Sequence, residues 1–145
     1  MIVMLLVPSF SLCEETSVQV EDSVLESIAH KVECLAKNIY FEARGESKLG
    51  MVAVAHVTIN RTKAPGFPAD VCSVVYQPGQ FSWTATRAKI VNTKIFQDAR
   101  NIAMEAILGV SNDPTKGALS FHSKEIETGW KKRITTRIGN HVFYR

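Results

Sequence analysis

Apolar positions along this chain change period several times, and each change marks an element. After an apolar opening, MIVMLLVPSFSLC, the stretch 14–22 is acidic and polar without apolar periodicity and reads as a linker. Val24, Ile28, Val32, Leu35, Ala36 and Ile39 then recur at three- and four-residue steps, the spacing of an amphipathic helix. Ser23 and Glu26 fit a capping box at its start, so the helix is predicted from Ser23 to residues 40–42, with a break at Gly45. From Ser47 onward Leu49, Met51, Val52, Ala53, Val54, Ala55, Val57 and Ile59 leave almost no polar face before Asn60 and Arg61, which predicts a helix buried on most sides. The valines make a strand pair the competing reading, but the length of the run and its serine start favour helix.

Two prolines and a glycine force a loop over 63–68, and Asp70 caps a short helix reaching residue 75 or 76. A turn over 77–80 delivers Phe81, Ser82 and Trp83, after which the chain is polar and irregular as far as Thr93. Ile95, Phe96, Ala99, Ile102, Ala103, Ala106 and Ile107 mark an amphipathic helix stopped by Gly109, where a left-handed residue costs least. Beyond the turn 113–117 the period switches to two: strands are predicted at 118–122, 134–138 and 141–144, the last pair joined tightly by Gly139-Asn140. The expected fold is a single α+β domain over 23–145, mostly helical with a small C-terminal antiparallel sheet, preceded by the segment 1–22.

Composition changes this picture little, because 46% hydrophobic and 21% charged residues in a 145-residue chain are ordinary for one compact domain. Charge changes it more. Residues 1–30 hold five acids and no Lys or Arg, whereas the other 115 residues hold 17 basic and nine acidic side chains, a net of +8 that favours approach to a polyanion such as nucleic acid, acidic lipid or an anionic wall polymer. The apolar opening is too short to span a bilayer as a helix. Its length suits a signal segment, but it lacks the basic end and the small-residue cleavage site, so a targeting segment, a peripheral membrane tether and an N-terminal strand remain open.

Candidate chemistry concentrates in the connection 38–47, where Glu42, Arg44 and Glu46 fall between two predicted helices. Glu42 ends the first helix, where the negative end of the dipole and the neighbouring Tyr40 and Phe41 disfavour ionisation and suit a general acid. Glu46 precedes the next helix, whose positive end favours a carboxylate, so it is a charged partner or reserve candidate, and helix capping is the plainer use of both Glu46 and Arg44. His30, His56, His122 and His141 show no metal-ligand spacing, and no metal or cofactor is expected. His56 reads as a core histidine, while His122 and His141 could face one cleft. Cys34 or Cys72 with a histidine would serve an amidase or peptidase, but both lie in apolar patterns without a cationic neighbour. A Cys34 to Cys72 bridge between the first and third helices suits an exported protein better. Trp130, Lys131, Lys132, Arg133 and Arg137 could bind phosphates, yet no nucleic-acid-binding motif accompanies them and a solvated strand face explains them as well.

Five blocks together carry a resemblance: Cys34-Leu-Ala-Lys-Asn-Ile-Tyr-Phe-Glu-Ala-Arg-Gly-Glu46, Gly50-Met-Val-Ala-Val-Ala55, Asn60-Arg61, residues 71–83 and residues 138–145. From about Val32 to Arg145 the chain resembles the SleB-type cell-wall hydrolases, a family that includes spore-cortex-lytic enzymes, and looks most like its proteobacterial and phage endolysin members. The resemblance implies a lysozyme-like fold, as in lytic transglycosylases. It also implies a groove for peptidoglycan glycan strands, and cleavage of the β-1,4 bond between N-acetylmuramic acid and N-acetylglucosamine by a glutamate acid matched to Glu42. Substrate contacts are expected from Tyr76, Gln77, Gln80, Phe81 and Trp83 on one wall and from Asn140 and His141 on the other. With only about thirty residues before the match, a free-standing endolysin or secreted wall-remodelling enzyme, acting as a monomer at the periplasm or cell wall, is expected rather than a spore enzyme. A wall-binding module on the same fold is the non-catalytic alternative.

Overall fold

The computed structural model describes the backbone of residues 12–145 and the side chains from Val18 onward. The apolar opening lies outside these residues, and no helix among the described residues is long and apolar enough to cross a membrane.

The first helix, α1 (Leu12–Ala43), starts earlier than its sequence pattern implies. The stretch read as a linker is helical, and Ser23 caps nothing: its hydroxyl donates to the carbonyl of Val20 inside the helix, 2.9 Å away. A serine three residues before a glutamate is compatible with a helix interior, and the flanking Glu, Val and Leu residues do not break one. The chain divides into two compact units, Met1–His30 and Lys31–Arg145. In the described part of the first unit Val18, Val20, Val24 and Leu25 are exposed. In the second, α1 buries Val32, Leu35, Ala36, Ile39, Tyr40 and Ala43, the helical stripe expected from their spacing.

The remaining helices are α2 (Lys48–Thr62), α3 (Val71–Val75) and α4 (Thr93–Ile107), with a 3-10 turn at Ser82–Ala85. Each follows an N-cap side chain that satisfies an otherwise orphaned amide: Ser47 accepts from Gly50, Asp70 from Ser73 and Asn92 from Ile95. The apolar run 47–60 is thus helical, and α2 is the buried centre against which α3 and α4 pack. A disulfide joins Cys34 on α1 to Cys72 on α3, with Cα atoms 5.3 Å apart.

Strands β1 (Ser120–Ser123), β2 (Ile134–Ile138) and β3 (His141–Tyr144) form an antiparallel sheet in the order β1-β3-β2, with an irregularity between Ile134 and Thr136. Phe143 packs with Ala53 and Val57 of α2 and with Ala118, joined by Phe121 and Ile138, so one sheet face closes the core. The end of α2 fixes where that sheet begins. Asn60 Nδ2 donates to Asp113 Oδ2 (2.9 Å) and to the carbonyl of Ala118 (3.1 Å), while Arg61 Nε donates to the carbonyl of Leu119 (2.8 Å). Asp113 also accepts from the amides of Thr115 and Gly117, which organises the turn 113–117. The dipeptide Asn60-Arg61 therefore docks the strand-bearing half onto the helical half.

Candidate active site

Glu42 lies in the last turn of α1, half-buried, between buried Ala43 and the ring of Phe41. Burial pushes its carboxyl above the usual carboxylate range, and the nearby Arg61 guanidinium pulls the other way without overcoming it. The ion pairs among the described residues are Glu33 with Lys37 and Arg100, and Lys94 with Asp98; Glu42 is in none of them. A carboxyl that holds its proton more tightly than usual is suited to act as a general acid.

The turn carrying Glu42 is held from three sides. Asn38, fully buried, donates from Nδ2 to Thr58 Oγ1 on α2 (3.3 Å) and accepts at Oδ1 from Trp83 Nε1 (3.0 Å). The Tyr40 hydroxyl, also buried, accepts from the amides of Val91 (3.2 Å) and Asn92 (3.1 Å), tying down the segment before α4. Phe41 stacks on Trp83, with ring centroids 4.8 Å apart and planes 28° apart. Tyr76, 46% exposed, meets Trp83 edge-on at 5.8 Å. The result is an aromatic row, Tyr76, Trp83 and Phe41, ending one residue from Glu42. Gln80 is exposed, and Gln77 is partly buried with its Oε1 enclosed and unpartnered.

Phe81 does not join this row. It is only 4% exposed, lies under Arg61 with the guanidinium 5.3 Å from its ring, and faces Phe121. The period of the turn that presents Trp83 points Phe81 inward, so it offers no open face to a ligand.

Glu46 is used differently from Glu42. Its Oε2 accepts from the amide of Asn140 at 3.1 Å, in the turn between β2 and β3, and the same carboxylate fills the space over Gly139 where any Cβ would stand. Gly139 also has φ +56°, so the turn requires glycine for two independent reasons. Asn140 is exposed beside it. His141 is 9% exposed, packed against Phe121 and Phe143, and its Nδ1 is enclosed without a partner. Burial pushes its pKa down, opposed by Glu46 and reinforced by His122, so the imidazole is held toward its neutral form. A cleft of about 350 Å³ opens beside Glu46, lined by Arg44, Lys48, Met51, Ile95 and Asp98 as well.

The other candidates fall elsewhere. His122 and His141 stand on opposite faces of the sheet and do not share a cleft: odd positions of β3 face Phe121, while His122 stacks on Tyr144 and bonds its hydroxyl at 2.6 Å. Trp130 covers that second face against His122 and Tyr144, with Lys132 Nζ 4.5 Å from its ring and bonded to Ser120 Oγ. The basic-aromatic cluster is thus partly structural. His56 is a buried histidine bonded to Ser111 Oγ at 2.9 Å. Cys34 and Cys72 are bonded to each other, so neither supplies a thiolate nucleophile. Arg44 is exposed and lies over the Tyr40 ring at 5.6 Å; the cation that acts on Glu42 is Arg61 instead.

A mostly helical domain closed by a small antiparallel sheet, with a desolvated glutamate at a helix end, is a lysozyme-like α+β architecture. The chain belongs to the cell wall hydrolase family, whose pattern matches residues 45–144. Glu46 falls inside that span and Glu42 just before it. The spore cortex-lytic enzyme of Bacillus subtilis (strain 168) is 33% identical over 117 residues, 77% of this chain and 36% of that protein. The chain spans about a third of the length of the first curated relatives it matches. Among solved structures, the catalytic domain of the Bacillus cereus SleB protein is 32% identical, with TM-score 0.68 over 79% of this chain and 89% of that one. The catalytic domain of the germination-specific lytic transglycosylase SleB from Bacillus anthracis is 31% identical, with TM-score 0.66 over 79% and 93% respectively.

Proposed function

We propose that this chain is a peptidoglycan-degrading glycosidase that cleaves the β-1,4 bond between N-acetylmuramic acid and N-acetylglucosamine, with Glu42 as general acid. The observation that carries the reading is the site of Glu42: a carboxyl at a helix end, held toward its protonated form by burial, beside a row of aromatic rings that suits sugar faces. Kinship with catalytic domains of cortex-lytic enzymes, one of them a lytic transglycosylase, supports the substrate class.

In the first step Glu42 gives its proton to the glycosidic oxygen, the C–O bond breaks and an oxocarbenium-like centre develops at the sugar carbon. Glu46 is engaged by the β2–β3 turn, which favours a mechanism with one working carboxyl in which the substrate's own acetamido group assists. The Glu42 carboxylate then takes a proton from the sugar 6-hydroxyl as its oxygen closes a 1,6-anhydro ring, or from water in a muramidase-type hydrolysis. Tyr76, Gln77, Gln80 and Trp83 form the proposed glycan wall, and Asn140 the opposite one. Action outside the cytoplasm is supported by the disulfide, which persists in oxidising compartments. The basic balance beyond residue 30 favours retention on an anionic wall.

Mass spectrometry of muropeptides released from purified peptidoglycan tests the reading. Anhydro-muropeptides formed by the wild type and lost in folded Glu42→Gln are expected. Reducing-end products would make the enzyme a muramidase, and release of stem peptides alone, or full activity of Glu42→Gln, would overturn the assignment.

A further inference from the structure

Among the charged groups of the described residues, Arg61 stands out. It is 6% exposed, and its guanidinium lies between the rings of Phe67 and Phe81, 5.2 and 5.3 Å from their centroids. Nε is fixed to the carbonyl of Leu119 at 2.8 Å, whereas Nη1 is enclosed and has no hydrogen-bond partner. A buried guanidinium with a spare N–H and no carboxylate bonded to it is costly, and the strand contact alone does not need a charge: a neutral donor would bond Leu119 equally well. The charge calls for an anion that is absent in the resting site.

The surrounding helices indicate where that anion arises. Helices α1 and α2 touch through Asn38 and Thr58, and the Phe81 ring beneath Arg61 is two residues from Trp83, which stacks on Phe41 beside Glu42. Among the described residues, Arg61 is the charged group that acts on Glu42, and Glu42 the one that acts on Arg61. We propose that Arg61 is a positioning residue of the reaction: a guanidinium locked by Leu119 and two rings, whose charge stabilises the Glu42 carboxylate once its proton has passed to the leaving oxygen. Before proton transfer Glu42 is neutral and the donor is idle. Afterwards the negative charge left on Glu42 develops in the field of a cation already fixed in place. The carboxylate so stabilised is the base required for the second step.

This inference rests on Glu42 as the acid, and its test is independent of turnover. In the intact chain, the carboxyl signal of Glu42 and the guanidinium signals of Arg61 are followed by nuclear magnetic resonance across a pH titration. The Arg61 signals of the wild type should move with the Glu42 midpoint and lie flat in Glu42→Gln. In Arg61→Gln the Glu42 midpoint should rise, because the favourable cation is gone, and Arg61→Lys should restore part of the difference. On soluble glycan strands Arg61→Gln should lose about 10- to 100-fold in kcat with little change in KM, its alkaline limb displaced upward. A merely structural arginine would lower activity without moving that limb. Arg61 signals that stay flat through the Glu42 titration overturn the proposal, as does an unmoved midpoint in folded Arg61→Gln. Should Arg61→Gln not fold, the wild-type titration decides alone. A wild type that titrates as expected but cleaves no glycan sinks the glycosidase reading and leaves the pairing standing.

Discussion

The last turn of α1 and the start of α2 each present a glutamate, four residues apart, and the chain uses them in opposite ways. Glu42 sits on a turn pinned by Asn38, Tyr40 and Phe41 without the help of its own carboxylate, and burial disfavours its charge. Glu46 sits where α2 begins and holds the β2–β3 turn through the amide of Asn140. Residue type and spacing are shared; what separates a reactive carboxyl from a structural one is whether the fold already depends on its charge. A group that is structurally idle and costly to ionise is free to exchange a proton.

The sharpest way to break this comparison is to neutralise each carboxyl in turn. Glu42→Gln should reduce release of muropeptides by about 10²- to 10⁴-fold, the usual contribution of a positioned acid, with no loss of stability. Glu46→Gln should retain activity within about 10-fold while losing stability of about 1 kcal/mol, the worth of one hydrogen bond to a charged acceptor at a partly open site. Equal losses of activity in both variants, measured on the same peptidoglycan with folding checked by circular dichroism, would make the pair a catalytic dyad and erase the distinction drawn above.

Next in size are the supports of the two regions. Reducing the Cys34 to Cys72 bridge, which closes a loop of 38 residues, should cost about 4 kcal/mol in denaturant unfolding. Activity below the new melting temperature should survive, because Asn38 and Tyr40 still hold the Glu42 turn. On the other side Gly139→Ala should cost about 1–3 kcal/mol: it both strains a positive-φ position and displaces the Glu46 carboxylate. Should Gly139→Ala prove neutral in the same unfolding experiment, the Glu46 bond to the turn would carry no weight.

Much of this was legible in the sequence, because the signals concerned are local. Caps at Ser47, Asp70 and Asn92, the glycine stop at 109 and the alternation in the strands depend on neighbouring residues, and helices α2 to α4 follow them closely. The position of Glu42 at the end of α1 was legible for the same reason; whether it acts as the acid is the proposal tested above. The start of α1 was not, since residues 18–27 are exposed and give no buried apolar stripe to read, and the capping box at Ser23 is indistinguishable from a helix-interior pattern. Arg61, Asn38 and Thr58 escaped for a different reason: their roles are long-range, linking α2 to Leu119, to α1 and through it to Trp83. A polar residue amid an otherwise apolar buried face, as at 38 and 58, and a cation closing the most apolar helix were the available signals. Phe81 and His141 were expected at the groove from the family resemblance; both are buried, which depends on long-range packing against Phe121 that local sequence does not show.

The smallest expected effect concerns stability rather than rate, and it isolates the desolvation of Glu42 from its chemistry. Burial raises the carboxyl pKa in the folded chain above its unfolded value, so between the two the native state binds more protons than the unfolded one. Native stability therefore falls as pH rises through that window, and the cost is fully present above the folded value and absent below the unfolded one. Glutamine carries no such cost, although it also removes the favourable effect of Arg61 on the ionised carboxylate. The net upward direction at Glu42 means that burial outweighs the cation. Glu42→Gln should accordingly match the wild type in stability at acid pH and exceed it at neutral pH by a gain on the order of 1 kcal/mol. Denaturant unfolding of both proteins across the acid-to-neutral range measures the difference directly. A gain that is flat with pH would trace to packing, whereas one that grows as the solution is acidified would mean that Glu42 is stabilised as a carboxylate and is poorly suited to donate a proton.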